Sequence, residues 1–402
     1  MEVAPDSDSG AVQAAIDEAA KLNGERPVVH LPMGGYSIDR TLVVPRNCDV
    51  QLVGDSAGET GTRLNWTGPD GGVVLRLEGP SRATLRDLYV HAPNARGLVV
   101  EDADQVGGQI LADQLNANGP GGEQANGTAA LRINGLDRTD VLCRALQGNG
   151  NAGRWVEVIG GPAADDAGNQ VSVLTGATGS AAGQYDVHGG GRLVVRAVYH
   201  ERSSGELTGL HLADRGTLSI DATRFSYATA ADRPTVATDS FRGLFTLATC
   251  MLLPVETQET CRFALRGDGG QTSVLALNNQ FWVHLPGTSA DTVWRNLAAP
   301  PARGGLLGCN INTSNREAAP AGWEYLANVG EDPDPARSGS GAGPLEDRGT
   351  VPDDMVLAHL EPLRQARVWP SDEPVPPGAT DLRIRRVMLL GGRDATVEVR
   401  AQ

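Results

Sequence analysis

The sequence predicts an all-β chain wound as a parallel β-helix, with one helix closing its first coil. Three observations predict it. A phrase of apolar, any, apolar, four residues, apolar recurs between Leu193 and Phe281. It runs from Leu193 and Val195 to His200, from Leu218 and Ile220 to Phe225, from Phe245 and Leu247 to Leu252, and from Val274 and Ala276 to Phe281. Its copies start 25, 27 and 29 residues apart, the loose period of a solenoid whose coils stack on one another. Inside each copy the period is two, that of a strand with one buried face.

The first element is a helix. Asp6, Ser7, Asp8 and Ser9 offer N-caps, and Gly10 to Leu22 carries Val12, Ile16 and Ala19 on one side, with Gly24 as the stop. A parallel solenoid leaves its first strand edges open, and an amphipathic helix over that end is the expected cap. Strands follow at Val73 to Leu77, Ala83 to Val90, Gly97 to Val100, Ala129 to Ile133, Val141 to Leu146, Trp155 to Ile159 and Val171 to Leu174. Gly/Asn-rich joints such as 116–122 and 148–153 suit turns needing positive φ. About 26 residues per coil from Val28 to Thr313 gives about eleven coils. The pattern then stops. Residues 331–344 have linker composition, Met355 to Arg367 suits a short helix, and Leu382 to Leu390 and Ala395 to Val399 read as two strands across Gly391 and Gly392. The expected organisation is a cap helix at 1–25, a β-helix at 26–315, an irregular segment at 316–354 and an extension at 355–402 packed on the solenoid.

The opening also carries a resemblance. After the helix come Val28 to Pro32, then Gly35-Tyr36-Ser37-Ile38, then Val50 to Gly54, and Pro32, Gly34 and Tyr36 keep a Pro-x-Gly-x-Tyr spacing. Over about the first 65 residues this resembles the entrance to the pectate-lyase-like, single-stranded right-handed parallel β-helix superfamily. That group includes polysaccharide lyases, glycoside hydrolases, epimerases and phage tailspikes. The resemblance therefore implies a fold and a carbohydrate habit without fixing a reaction. It also implies a secreted or cell-surface protein, and a monomer or homotrimer.

Composition narrows the partners. The formal net charge is −15 and Lys21 is the only lysine, so nucleic acid and anionic membranes are disfavoured. A uronate polymer is disfavoured too, unless Ca²⁺ or a local arginine cluster offsets the charge. Aromatic residues are 4% of the chain, which keeps sugar-stacking platforms few. Cys48, Cys143, Cys250, Cys261 and Cys309 show no zinc spacing and read as buried small side chains, although Cys250 and Cys261 are close enough in sequence to pair. No stretch approaches the roughly 20 apolar residues of a membrane span. The first residues carry no leader pattern, which leaves secretion open.

On a β-helix, chemistry belongs to outward polar residues on neighbouring rungs. Alternation with Val156 and Val158 assigns Trp155 and Glu157 outward, and alternation with Val187 does the same for Asp186 and His188. Aligning Leu193 with Leu218 sets His211 one rung on from Asp186. Tyr199, Glu201, Arg202 and Asp214 lie close in the same stretch, whereas His200 fills an apolar slot and reads as a core residue. Two chemistries fit. A glycoside hydrolase needs two carboxylates, supplied from Glu157, Asp186, Glu201 and Asp214. A lyase or epimerase needs a base and a cation, for which His188, Tyr199, Arg202 and Ca²⁺ are candidates. The expected catalytic set is Glu157, Asp186, His188, Glu201, Arg202 and Asp214, with Trp155, Tyr199 and His211 contacting substrate. No cofactor or resident metal is expected unless the lyase reading holds. Asp165 and Asp166 lack the spaced ligands of a calcium loop. The net charge favours hydrolysis of a neutral polysaccharide or oligosaccharide. A non-catalytic adhesin, envelope or tailspike-like solenoid is the competing class, and for each residue singled out a solvated surface role is the plainer reading.

Overall fold

In the computed structural model the described residues are 1–93, 95–118, 129–149, 154–161, 169–179, 183–201, 209–227, 236–254, 263–266, 271–281, 294–296, 305–308, 324–326, 368–369, 380–389 and 393–401. They fall in two units, Met1–Ser338 and Gly339–Gln402. The first is a parallel β-helix whose coils each lay down strands on three faces.

The first face is an unbroken parallel ladder. Its inward positions stack as Val29, Leu52, Leu85, Ala112, Cys143, Val173, Val195, Ile220, Leu247 and Ala276, and the same backbone register continues through Leu307 and Tyr325. Those from Val29 to Ala276 are all but inaccessible to solvent. The alternation read from sequence thus becomes one continuous apolar column, which is the main drive to coil. The repeated phrase lands in register: Leu193, Leu218, Phe245 and Val274 are stacked partners, and so are His200, Phe225, Leu252 and Phe281 on the second face. The coil count differs from eleven. Pairing links twelve strands on the first face and ten on each of the others among the described residues.

A single left-handed residue turns the chain from first to second face in coil after coil. Asp87, Gln114, Ala145, Thr175, Ala197, Ala222, Thr249 and Asn278 occupy that corner, with φ between 49° and 61°. One such residue reverses the pleat, so inward side chains resume on the next face without a loop. Below it, Asn279 is fully buried, accepts from the Cys250 N–H at 2.9 Å and donates to the Leu247 carbonyl at 2.9 Å. It thereby satisfies two backbone groups that the corner would otherwise leave unpaired.

The open first edge is closed on all three faces. Val3 donates to the His30 carbonyl, and His30 donates to the Met1 carbonyl, which adds a short strand to the first face. Asp8 bridges Ser37 on the second face. On the third, the Gln13 amide donates to the Val43 carbonyl and accepts from the Val43 N–H, replacing the missing rung. Gln13 sits on the helix Ser9–Ala20, capped by Asp8 accepting from Ala11 and burying Val12, Ile16 and Ala19 as the periodicity predicts.

Cys48, Cys143 and Cys250 are free and buried, while Cys261 and Cys309 lie outside the described residues. No helix among the described residues is long and apolar enough to cross a membrane. The second unit contains a three-stranded antiparallel sheet of Val368–Trp369, Arg393–Ala401 and Thr380–Leu389, so the two expected strands pair across Gly391 and Gly392. The linker at 331–344 and the expected helix at 355–367 lie outside the described residues.

Candidate functional site

The third face carries the cluster. Its outward row reads Arg132, Glu157, Asp186 and His211 on four successive rungs, each the register partner of the next. Val156, Val158, Val187 and Leu212 point inward between them and are buried, so the outward direction of Glu157, Asp186, His188 and His211 follows from the pleat.

Two arginine–carboxylate–histidine sets lie side by side here. Arg132 Nε stands 3.5 Å from Glu157 Oε2, and His188 Nε2 stands 3.5 Å from Glu157 Oε1. One rung on, Arg154 Nε stands 3.6 Å from Asp186 Oδ2, and His211 Nδ1 stands 3.0 Å from Asp186 Oδ1. The side chains of Glu157 and Asp186 are only 13% and 17% exposed, so their partners act through a poorly screened medium. Burial alone would raise the Asp186 carboxyl, but the His211 hydrogen bond and the charges of Arg154, His211 and His188 outweigh it and hold it below its ordinary value. The hydrogen bond with Glu157 is the chief cause that raises His188 above an ordinary histidine. Burial opposes that rise, and the charges of Asp186, Glu157 and Asp214 assist it. The site therefore pairs an ionised carboxylate with an imidazole that keeps its proton to higher pH.

Arg132 and Arg154 were absent from the sequence reading. The signal was there in the repeat, since Arg132 aligns with Glu157 once Ile133 is stacked on Val158.

Other expected residues fall elsewhere. Trp155 is a correction: it is 0% exposed and turns into the core, with ring centroids 5.8 Å from Tyr185 and 5.6 Å from His200. The reason is Gly148, where a Cβ would stand 2.5 Å from the Trp155 indole nitrogen. That missing side chain leaves the room the indole fills, so no face of it is left for a sugar. His200 is the core residue expected, accepting or donating at 2.9 Å to Tyr185 Oη and 3.1 Å to Thr178 Oγ1. Desolvation pushes it down to about 3, so it is a neutral imidazole. Tyr199 is half-buried on the second face under the Arg224 guanidinium, 5.3 Å from its ring centroid. Glu201 is exposed at the end of that same strand, and no contact joins it to the cluster among the described residues. Asp214 is exposed with φ 59° and reaches the cluster only through its charge on His188. Arg202, Asp165 and Asp166 lie outside the described residues, among which no group of three or more His, Cys, Asp or Glu forms a metal site.

No family model matches this sequence, and no curated protein matches it. Solved structures with a similar course of chain include a DFA-IIIase from Arthrobacter chlorophenolicus A6 in complex with GF2. It is 12% identical with a TM-score of 0.43, over 82% of this chain and 93% of that one. The same enzyme without its lid gives 12% and 0.42, over 85% and 98%. A variant in complex with DFA-III gives 10% and 0.40, over 82% and 84%. At that distance the likeness carries no functional argument, and the fold stands on the strand register above.

Proposed function

We propose that the third-face cluster hydrolyses a glycosidic bond in a neutral polysaccharide or oligosaccharide laid along the rungs. The observation that carries the reading is the placement of Glu157 and Asp186 as outward register partners, each with its own histidine and arginine. Adjacent rungs are about 4.8 Å apart, which falls near the roughly 5–5.5 Å carboxylate separation of a retaining mechanism. Asp186, kept ionised by His211 and Arg154, faces the anomeric carbon as positive charge develops there. The Glu157–His188 pair supplies the proton to the departing oxygen, because the Glu157 hydrogen bond lets His188 hold its proton to higher pH than an ordinary histidine. As the bond from the anomeric carbon to the bridging oxygen breaks, an Asp186 carboxylate oxygen bonds to that carbon; water then displaces Asp186, giving its hydroxyl to the carbon and its proton back to His188. Both arginines are engaged with these carboxylates, which leaves the uronate-steadying role of a lyase without a dedicated cation in this cluster among the described residues. The reading places the protein outside the cell or at its surface.

The test is product analysis on neutral and uronate oligosaccharides. Reducing ends without ultraviolet absorbance are expected, and Glu157→Gln or Asp186→Asn is expected to lower the rate by at least about 100-fold. An unsaturated, ultraviolet-absorbing product overturns hydrolysis.

A second reading has its own observation: every carboxylate of the cluster already has a cationic partner. That is what a non-catalytic solenoid would show if the pairs served only to tie its rungs together. In that case the amide variants alter stability and no substrate is cleaved. Solution mass separates a monomer from a trimeric assembly in either case.

A further inference from the structure

The second face has an outward row that differs in kind from the others. In register it runs Arg63, Tyr89, Asn116, Gln147, Ala177, Tyr199 and Arg224, seven rungs without a carboxylate in a chain of 49 acidic residues, with the Tyr89 ring itself buried at 4% exposure. The comparable row of the first face, Arg86, Asp113, Arg144, Leu174, Arg196 and Asp221, mixes the two signs and ties itself off, with Arg144 on Asp113 and Arg196 on Asp221. On the second face, a guanidinium lies over a tyrosine at each end. Arg63 is 5.5 Å from the Tyr89 centroid, and Arg224 is 5.3 Å from that of Tyr199. Neither arginine pairs with a carboxylate among the described residues, and Glu59 reaches the row only as a charge on Tyr89 and His91. Between the ends sit two side-chain amides, with Gln147 exposed and Asn116 half-buried. Arg63 Nε and Asn116 Oδ1 are buried and make no hydrogen bond. An unmet donor and acceptor on one patch are groups that a hydroxylated ligand can satisfy.

We infer that this row is a second binding track, separate from the third-face cluster, for an extended acidic oligosaccharide. Six rung steps span about 29 Å, the reach of a short chain of sugars. Guanidinium ends oriented on aromatic rings take sugar carboxylates as charge-assisted pairs. The amides between them donate to and accept from hydroxyls, and the half-exposed Tyr199 ring meets the apolar face of a sugar. The inference does not depend on hydrolysis at the third face. It also supplies the local cationic surface that the net charge of −15 otherwise denies to an acidic polymer.

The experiment uses the full chain carrying Asp186→Asn, so that turnover at the third face does not consume the probe. Uronate, sulfated and neutral oligosaccharides of equal length are arrayed, and the best-bound one is titrated by calorimetry. The uronate chain is expected to bind, with affinity falling as salt rises, and the neutral chain is not. Arg63→Gln and Arg224→Gln are each expected to weaken binding about tenfold, and Gln147→Ala severalfold. Arg224 and Gln147 are exposed, so those two variants test the row without risking the core. Equal binding of the neutral chain overturns the acidic class, and equal binding of the sulfated chain overturns recognition of a sugar carboxylate. No binding at all, unchanged affinity in both arginine variants, or variants that shift the solution mass instead, overturns the track itself. Hydrolysis of a neutral substrate by the Arg224→Gln single variant is read separately, so loss of one proposal leaves the other standing.

Discussion

Replacing His200 by Phe tests whether the interior of the solenoid holds an uncharged imidazole. In the folded chain His200 is fully buried, stacked 4.9 Å from Phe225 and set against Tyr185 and Trp155, and burial pushes it down to about 3. In the unfolded chain it titrates near its ordinary value of about 6.5. Between those values the unfolded state binds a proton that the folded state refuses. Stability is therefore intact above about pH 6.5 and falls as the pH drops toward the folded value. The loss from this one residue is about 2 kcal/mol at pH 5 and about 3 kcal/mol at pH 4. His200→Phe keeps the stack with Phe225 but takes the imidazole from Tyr185 and Thr178, a loss of about 1–3 kcal/mol with no dependence on pH. Urea unfolding followed by far-ultraviolet circular dichroism should show the variant less stable at pH 7.5. The gap should close near pH 5 and reverse by pH 4. All other titrating groups are common to both chains and cancel in the difference. A gap that stays constant from pH 7.5 to pH 4 would refute the neutral, buried imidazole.

Gly148→Ala places a Cβ 2.5 Å from Trp155 Nε1 and 2.9 Å from the Ala117 carbonyl, and should lower the urea midpoint by an amount equal to about 1–3 kcal/mol. Asn279→Ala strands the Cys250 N–H and the Leu247 carbonyl and should destabilise by about 2–4 kcal/mol. Asn279→Asp, which sets a buried carboxylate oxygen against the Leu247 carbonyl, should destabilise at pH 7 at least as much as Ala in the same measurement. His30 lies 2.8 Å from Glu2 and 2.9 Å from Asp55, and those hydrogen bonds, Glu2 first, hold it above its ordinary value. Its contribution is complete below about pH 6.5 and is lost as the pH rises through the folded value. The Val3 amide should thus exchange more slowly, relative to its intrinsic rate, at pH 6 than at pH 8. Glu2→Gln should move the His30 proton titration to lower pH in NMR spectra.

The repeat was legible because its inward positions are large and strictly spaced. Leu193, Leu218, Phe245 and Val274 stack as the phrase aligned them. The cap helix was legible for a similar reason, since Val12, Ile16 and Ala19 meet the core at helical spacing. Strand Gly108–Asn118 was not legible. Its inward residues are Ile110, Ala112, Leu115 and Ala117, and the left-handed Gln114 between them shifts the alternation by one. Trp155 failed for a different reason. Period-two alternation sent it outward, but room for an indole is decided by Gly148 on the preceding coil face, a non-local fact. That Glu157, Asp186, His188 and His211 lie together was legible because alternation with Val156, Val158, Val187 and Leu212 sends them outward on neighbouring rungs. Arg132 and Arg154 were missed because arginine is the common basic residue of this chain, and only the register shows which of them touch a carboxylate.

The same pairing of arginine with carboxylate means different things on different faces. Arg144–Asp113 and Arg196–Asp221 join rungs of the first face through side chains in which each arginine is at least half exposed, where such pairs contribute about 0–1 kcal/mol. Arg154–Asp186 and Arg132–Glu157 join rungs just as well, but with both partners of each pair mostly withdrawn from water, the arginines being 13% and 23% exposed, and with histidines added. Withdrawing charge from water costs several kcal/mol per ion, and apolar replacement of such pairs is often neutral or stabilising. Rung-to-rung stability alone would therefore be met at least as well by valine or leucine at those positions, as it is on the inward side of the same strands. A shielded carboxylate whose proton affinity is set by three neighbours is useful chiefly where a proton or a developing charge must be handled. That contrast, between arginines left in solvent on one face and arginines withdrawn from it on another, is the structural difference on which the catalytic reading proposed above rests.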